Sequence, residues 1–91
     1  MNLAETAHRR DMVLRLKRVE GQLRGIQLMI EGGQECEAIA QQLAASRKAL
    51  DKAFFHLLAC FAEQPDVKVS RSGAIPRERM AQMARLLEKF A

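Results

Sequence analysis

The chain contains no tryptophan or tyrosine, and its 91 residues include only four phenylalanines, five glycines and two prolines. Few turn-forming residues, combined with many Ala, Leu, Gln, Glu, Lys and Arg, are typical of long helices. No stretch alternates apolar and polar residues as a half-buried strand does. The sequence therefore predicts an all-α chain, and its length fits a single domain spanning residues 1–91.

Long apolar stretches are also lacking, and no run approaches the ~18 residues of a membrane-spanning helix. The first residues contain no apolar core of the kind that a signal peptide requires. We therefore expect a cytoplasmic protein with no membrane partner. In that reducing compartment, two cysteines are more often redox-active or metal-binding than joined in a structural disulfide.

The spacing of apolar residues predicts three helices, two long and one short. We place the first at residues 6–31, ended by a pair of glycines, and the second at about 35–63. A polar loop over 66–75 then leads to a third helix whose first turn contains Pro76. A domain of this size buries a small core, so we expect it to associate with further copies of itself.

The first predicted helix is basic. The net charge is +4, and the first 30 residues hold six basic residues against three acidic ones. A basic helix of this kind indicates a polyanionic partner, and nucleic acid before a membrane surface. The alternative is that these side chains are ordinary solvated charges.

The two cysteines lie at the ends of one row in the second predicted helix. The row follows heptad-type spacing through Cys36, Ile39, Leu43, Ser46, Leu50, Ala53, Leu57 and Cys60. At ~1.5 Å per residue the thiols are roughly 36 Å apart on one helix, so they cannot meet within a chain. An antiparallel second copy would bring Cys36 to the partner's Cys60 at both ends of a symmetric dimer. This pattern predicts a two-thiol sensor between subunits, although both cysteines could instead be small buried residues.

A metal site is a second interpretation of the same region. His56 precedes Cys60 by four residues, so both side chains lie on one helical face. Together with Cys36 of the other copy, they could bind Cu(I) or Zn(II). We favour the other interpretation of His56, as a surface or interface histidine, and we then expect no cofactor.

Several segments resemble the copper-, nickel- and formaldehyde-sensing repressors of bacteria (the CsoR/RcnR/FrmR family). The segments that carry the resemblance are Arg15-Leu16-Lys17-Arg18-Val19-Glu20-Gly21-Gln22, Gly25-Ile26, Cys36, Gln42-Leu43-Ala44-Ala45 and Ala49-Leu50-Asp51-Lys52-Ala53. The resemblance extends over nearly the whole chain. It implies an antiparallel helical dimer that pairs into a disc-like tetramer, binds operator DNA and releases it on meeting an inducer. It also implies that the protein is not an enzyme.

The resemblance assigns roles to the thiols. Metal-binding members use a cysteine at the position of Cys36, but their next two ligands align with Phe61 and Pro65, and neither can bind a metal. Persulfide-sensing members use two cysteines across the dimer, one of them at Cys36, and Cys60 lies about one turn before the second. By this resemblance, reactive sulfur species are the inducer, Cys36 is the nucleophile and Cys60 of the partner is the resolving thiol. Formaldehyde sensing through Cys36 is a further alternative. In the family this reaction links the cysteine to the amine of an N-terminal proline, and the presence of Asn2 at that position argues against it.

The resemblance also implies DNA contacts on both long helices. Arg15 and Lys52 match basic residues implicated in DNA binding, and we add Lys17, Arg18 and Gln22 from the same part of the first helix. No helix-turn-helix signature is present, so DNA shape would contribute to specificity alongside base contacts.

Overall fold

The computed structural model describes residues 3–63 and 75–90, and these residues form three helices. They are α1 (Thr6–Glu31), α2 (Cys36–Glu63) and α3 (Arg77–Phe90). The predicted all-α chain of two long helices and one short helix is therefore confirmed. Pro76 lies one residue before α3 rather than in its first turn, and its carbonyl accepts a hydrogen bond from the Met80 N–H. The predicted loop over 66–75 lies outside the described residues except at its last position.

The turn after α1 depends on a glycine. The Gly32 N–H donates to the Leu28 carbonyl at 2.9 Å, and the Gly33 N–H donates to the Ile30 carbonyl at 3.1 Å. Gly33 has a φ of +71°, a conformation that a side chain disfavours. These bonds satisfy carbonyls at the end of α1 and reverse the chain, so that α2 returns alongside α1.

Helices α1 and α2 pack antiparallel. The hydrogen-bonded pairs Gln22–Ser46 and Asp11–His56 show this direction, because the later residue of α1 meets the earlier residue of α2. Between these pairs, Val19 of α1 is buried. The contact therefore extends along most of the length of both helices.

The face of α2 that meets α1 is made of small side chains. Ser46, Ala53 and Cys60 are spaced seven residues apart and are exposed by only 3%, 4% and 2%. Other members of the predicted cysteine row lie on a different face, because Cys36, Leu43 and Leu50 are exposed. The predicted row therefore divides into two. The row through Ala53 packs within the protomer, and the row through Leu50 is exposed on its surface.

The protomer is elongated and leaves much apolar surface uncovered. Its extents are 57 × 27 × 18 Å and its radius of gyration is 17.4 Å, whereas a compact chain of this length would have a radius of gyration of about 12 Å. Exposed large apolar residues occur on all three helices: Val13, Leu14, Leu16, Leu23, Leu28 and Ile30 on α1, Leu43, Leu50 and Phe55 on α2, and Met80, Leu87 and Phe90 on α3. Such faces are suited to contact with further copies of the chain.

Helix α3 is held mainly against the end of α2. The Arg79 guanidinium lies 5.4 Å from the centre of the buried Phe61 ring, a cation–π contact. No residue of α3 is itself buried. None of the three described helices is both long enough and apolar enough to cross a membrane.

Two glycine substitutions test the roles of glycine within α1 and in the turn that follows it. A Cβ added at Gly25 would meet no atom within 4 Å, so Gly25→Ala should stabilise the helix by about 1 kcal/mol. Gly33→Ala is the matched control, because its positive φ should make the same substitution destabilising by about 1–2 kcal/mol. Urea unfolding of both variants measures the two effects. Destabilisation by Gly25→Ala would mean that another chain covers this face of α1.

Candidate DNA-binding groove and thiol cluster

A shallow groove of about 150 Å³ lies between α1 and α2. Its lining residues are Arg15, Arg18, Val19 and Gln22 from α1, and Ala49 and Lys52 from α2. The groove therefore brings together four of the five residues predicted to contact DNA. We call it the basic groove.

Lys17 is the predicted DNA contact that lies elsewhere. It lines a second concavity along the outer side of α1, together with Thr6, Arg9, Arg10, Val13 and Leu14. This follows from helix geometry, since successive residues differ by about 100° around the axis. A DNA contact by Lys17 stays a prediction, and it would use a different surface from the basic groove.

A buried serine of α2 holds one residue of the basic groove in position. The Ser46 hydroxyl donates a hydrogen bond to the side-chain carbonyl of Gln22 at 3.4 Å. Because an amide carries donors as well as an acceptor, the NH₂ group of Gln22 remains available for another partner. Ser46 thus orients Gln22 towards the groove.

Arg15 is held at one end of the basic groove by an acidic residue. Its Nε atom is shielded from solvent and lies 3.6 Å from an Asp11 carboxylate oxygen, one turn earlier on α1. This spacing is the usual one for an ion pair along a helix. The pair places a negative charge beside the guanidinium, although Nε itself makes no hydrogen bond among the described residues and part of the side chain stays exposed.

The same aspartate belongs to a cluster with the second predicted thiol. One ligand-capable atom each of Asp11, His56 and Cys60 lies within 4.8 Å of the other two. The His56 ring and the Asp11 carboxylate are joined by a hydrogen bond between the two helices. His56 and Asp11 are partly exposed, whereas Cys60 is buried. We call these three residues the α1–α2 cluster.

Electrostatic interactions in this cluster act in opposite directions on its two acids. The hydrogen bond from His56 holds the pKa of Asp11 below its ordinary value, with the charges of His56 and Arg15 acting in the same direction against partial desolvation. Burial raises the pKa of the Cys60 thiol, and the negative charges of Asp11, Glu63 and Glu5 raise it further. Cys60 therefore favours the neutral thiol as long as α1 covers it.

The two cysteines have contrasting environments. Cys36 is the first residue of α2 and is exposed, while Cys60 is buried near the other end of the same helix. The Phe61 ring, which the resemblance aligns with a family metal ligand, is buried and offers no ligand atom. Pro65, at the other such position, lies outside the described residues. The absence of the family's usual metal-binding set therefore stays a prediction, as does the link between Cys36 and a partner's Cys60.

Asp11 has a role that was not predicted from the sequence. In the charge pattern it is only one negative charge in a basic helix, although its position contains a signal. It precedes the buried Val19 by eight residues and Ile26 by fifteen, so it lies near the face of α1 that meets α2. A carboxylate at such a position lies within reach of polar side chains on the facing helix, and His56 is the one that it bonds to.

Comparison with known proteins identifies the family of this chain. The profile of the metal-sensitive transcriptional repressors matches residues 8–89, which is most of the chain. The chain belongs to this family. Its members are transcriptional repressors rather than enzymes.

Two relatives agree with the assignment to this repressor family. The copper-sensing transcriptional repressor CsoR of Bacillus subtilis (strain 168) is 41% identical over 59 residues, covering 65% of this chain and 58% of that protein. A variant of the formaldehyde-responsive regulator FrmR from Salmonella enterica serovar Typhimurium has the same fold. It superposes with a TM-score of 0.73 at 22% identity, covering 97% of this chain and 99% of the other.

The contrast between the two thiols of this family member is directly testable. We expect iodoacetamide to alkylate Cys36 at least ~10-fold faster than Cys60 in the native protein, because α1 shields Cys60. Mass spectrometry of tryptic peptides over time measures both rates. In urea the two rates should converge, which controls for intrinsic reactivity. Equal rates in the native protein would contradict the burial of Cys60 beneath α1.

Proposed function

We propose that this protein is a transcriptional repressor that binds operator DNA through the basic groove. The observation that carries this proposal is the convergence of Arg15, Arg18 and Gln22 of α1 with Lys52 of α2. Three cationic side chains from two helices on one surface match the negative charge of a DNA backbone. The amide of Gln22 adds a group that can hydrogen-bond to a base edge or a phosphate.

Self-association would multiply this groove. The exposed apolar faces of the three helices support association with further copies, for which the family resemblance implies an antiparallel dimer that pairs into a disc-like tetramer. Each copy then contributes one basic groove. Several weak phosphate-binding surfaces on one rigid particle give much tighter binding than one alone.

Reactive sulfur species are our proposed inducer. The Cys36 thiolate attacks the outer sulfur of an organic persulfide, which leaves a persulfide on Cys36 and releases the thiol from the donor. The Cys60 thiolate of a partner then attacks the inner sulfur on Cys36, forms a disulfide and expels hydrosulfide. The exposure of Cys36 supports its role as the attacking group.

The burial of Cys60 supports a link between this reaction and DNA release. Cys60 is 2% exposed beneath α1, so a partner's Cys36 can reach it only if α1 moves away from α2 at this end. Helix α1 also carries Arg15, Arg18 and Gln22. Its displacement would separate these residues from Lys52 and weaken the basic groove.

Metal induction is the second candidate function. The observation that favours it is the α1–α2 cluster, in which His56 and Cys60 are joined by a third donor, Asp11. The sequence-based alternative used Cys36 of another copy as the third ligand. Both arrangements share His56 and Cys60, so variants at Cys36 separate them.

Operator binding provides the first test. We expect Arg15→Ala and Lys52→Ala each to weaken binding by about tenfold, and to lower the slope of log affinity against log salt by about one for each phosphate no longer neutralised. Arg24→Ala is the matched control, since Arg24 is an exposed arginine of α1 that does not line the groove. Fluorescence anisotropy with the promoter DNA measures both quantities. Equal weakening by Arg24→Ala and Arg15→Ala would rule out the groove as the DNA-binding surface.

The inducer is tested by intact mass after exposure to a persulfide donor. We expect a covalent dimer under denaturing, non-reducing conditions, because Cys36 and a partner's Cys60 become linked. Neither Cys36→Ser nor Cys60→Ser should form this dimer. The proposal fails if the wild-type chain shows only the monomer mass after persulfide treatment and a metal still releases the protein from operator DNA. In that case the metal, and not reactive sulfur, is the inducer.

A further inference from the structure

We propose that each protomer binds one divalent cation of the Zn(II) class between α1 and α2, at Asp11, His56 and Cys60. The site uses no residue of a second copy and does not include Cys36. It therefore differs both from the family's usual ligand positions and from the intersubunit site considered from the sequence. It concerns the protein alone, so it does not depend on operator binding.

The geometry is close to that of a bound ion. The three donor atoms lie within 4.8 Å of one another, whereas ligands around a tetrahedral zinc ion are separated by about 3.3–3.8 Å. Small side-chain rotations are enough to close this difference. The His56 and Asp11 atoms already face each other across a hydrogen bond, and a cation would lie between them in place of the hydrogen-bonded proton.

The helices hold these donors in place before an ion arrives. His56 and Cys60 are four residues apart on α2, so their side chains lie on the same face. Asp11 reaches them from α1, which is fixed by the buried Val19 and Ile26 further along. A cation would thus join the two helices at the end opposite to the glycine turn.

The donor set selects the class of cation. One imidazole nitrogen, one thiolate sulfur and one carboxylate oxygen suit Zn(II) and Co(II), which accept all three donor types. Cu(I) prefers soft thiolates and thioethers, and the carboxylate makes it a poorer match. Three protein ligands leave a fourth tetrahedral position for water or for another small ligand.

The local charge also favours a cation. The carboxylates of Asp11, Glu63 and Glu5 all act on the Cys60 thiol, and among the charges acting on it Arg15 is the counteracting one. Binding would release the thiol proton, so the cation, the aspartate and the new thiolate together become neutral. Asp11 and His56 are partly exposed, with 45% and 28% of their side chains accessible. An ion can therefore enter from their side without unfolding the helix pair.

Cobalt substitution tests the site directly. The oligomeric protein, reduced and free of oxygen, is titrated with Co(II), and thiolate-to-cobalt charge-transfer absorption is recorded. We expect one equivalent per protomer, and displacement by Zn(II). Cys36→Ser is the matched control and should retain the full absorption, because Cys36 lies outside the site.

Variants of the three ligands complete the test. Cys60→Ser should abolish the charge-transfer absorption, and His56→Ala and Asp11→Asn should each weaken Co(II) binding by at least about tenfold, since even the outer-shell partners of a ligand contribute about 10–100-fold. Circular dichroism checks that each variant remains helical, and Asp11→Asn has the least effect on shape. Loss of the absorption in Cys36→Ser, or its persistence in Cys60→Ser, would overturn the proposal. So would the absence of Co(II) binding to wild-type protein at micromolar concentrations.

Discussion

The close contact between α1 and α2 is the constraint on which the other features depend. Ser46, Ala53 and Cys60 present small side chains to α1, so the two helix backbones can approach each other along this row. Larger residues there would push the helices apart. The basic groove and the α1–α2 cluster both form across this contact, at different positions along the helix pair. A change in helix separation would therefore alter both sites together.

The protomer is incomplete on physical grounds. Six apolar residues are buried, while thirteen large apolar residues are exposed among those described. Helices of this length gain most of their stability from packing an apolar face, and one partner helix covers only part of each face. Two rows of α2 make this clear, since the row through Ala53 is covered and the row through Leu50 is free. The free row is the surface that an antiparallel partner would use.

The sequence predicted the helices well because their boundaries depend on local signals. Glycines end α1, and Pro76 directly precedes α3. Four of the five residues that the resemblance proposed as DNA contacts lie together in the basic groove, because Arg15, Arg18 and Gln22 share a face of one helix, and their role in DNA binding stays a prediction. Which side of α2 faces α1 could not be predicted, because heptad spacing fits a contact within the chain as well as one between chains. The α1–α2 cluster could not be predicted either, because Asp11 meets His56 only when these particular faces of α1 and α2 pack against each other.

Asp11 connects the two sites, and this has a consequence for regulation. Its carboxylate is shared between Arg15, at one end of the basic groove, and His56 beside Cys60. Any chemistry at the cluster that draws on this carboxylate, or that moves α1 to expose Cys60, must change the environment of Arg15. On the proposed function, a sensing event at the cluster would lie one helical turn from Arg15, the groove residue proposed to contact DNA, so the first step of induction would be local. Assembly would serve instead to add up small changes at several grooves, because each copy holds its own cluster and its own arginine.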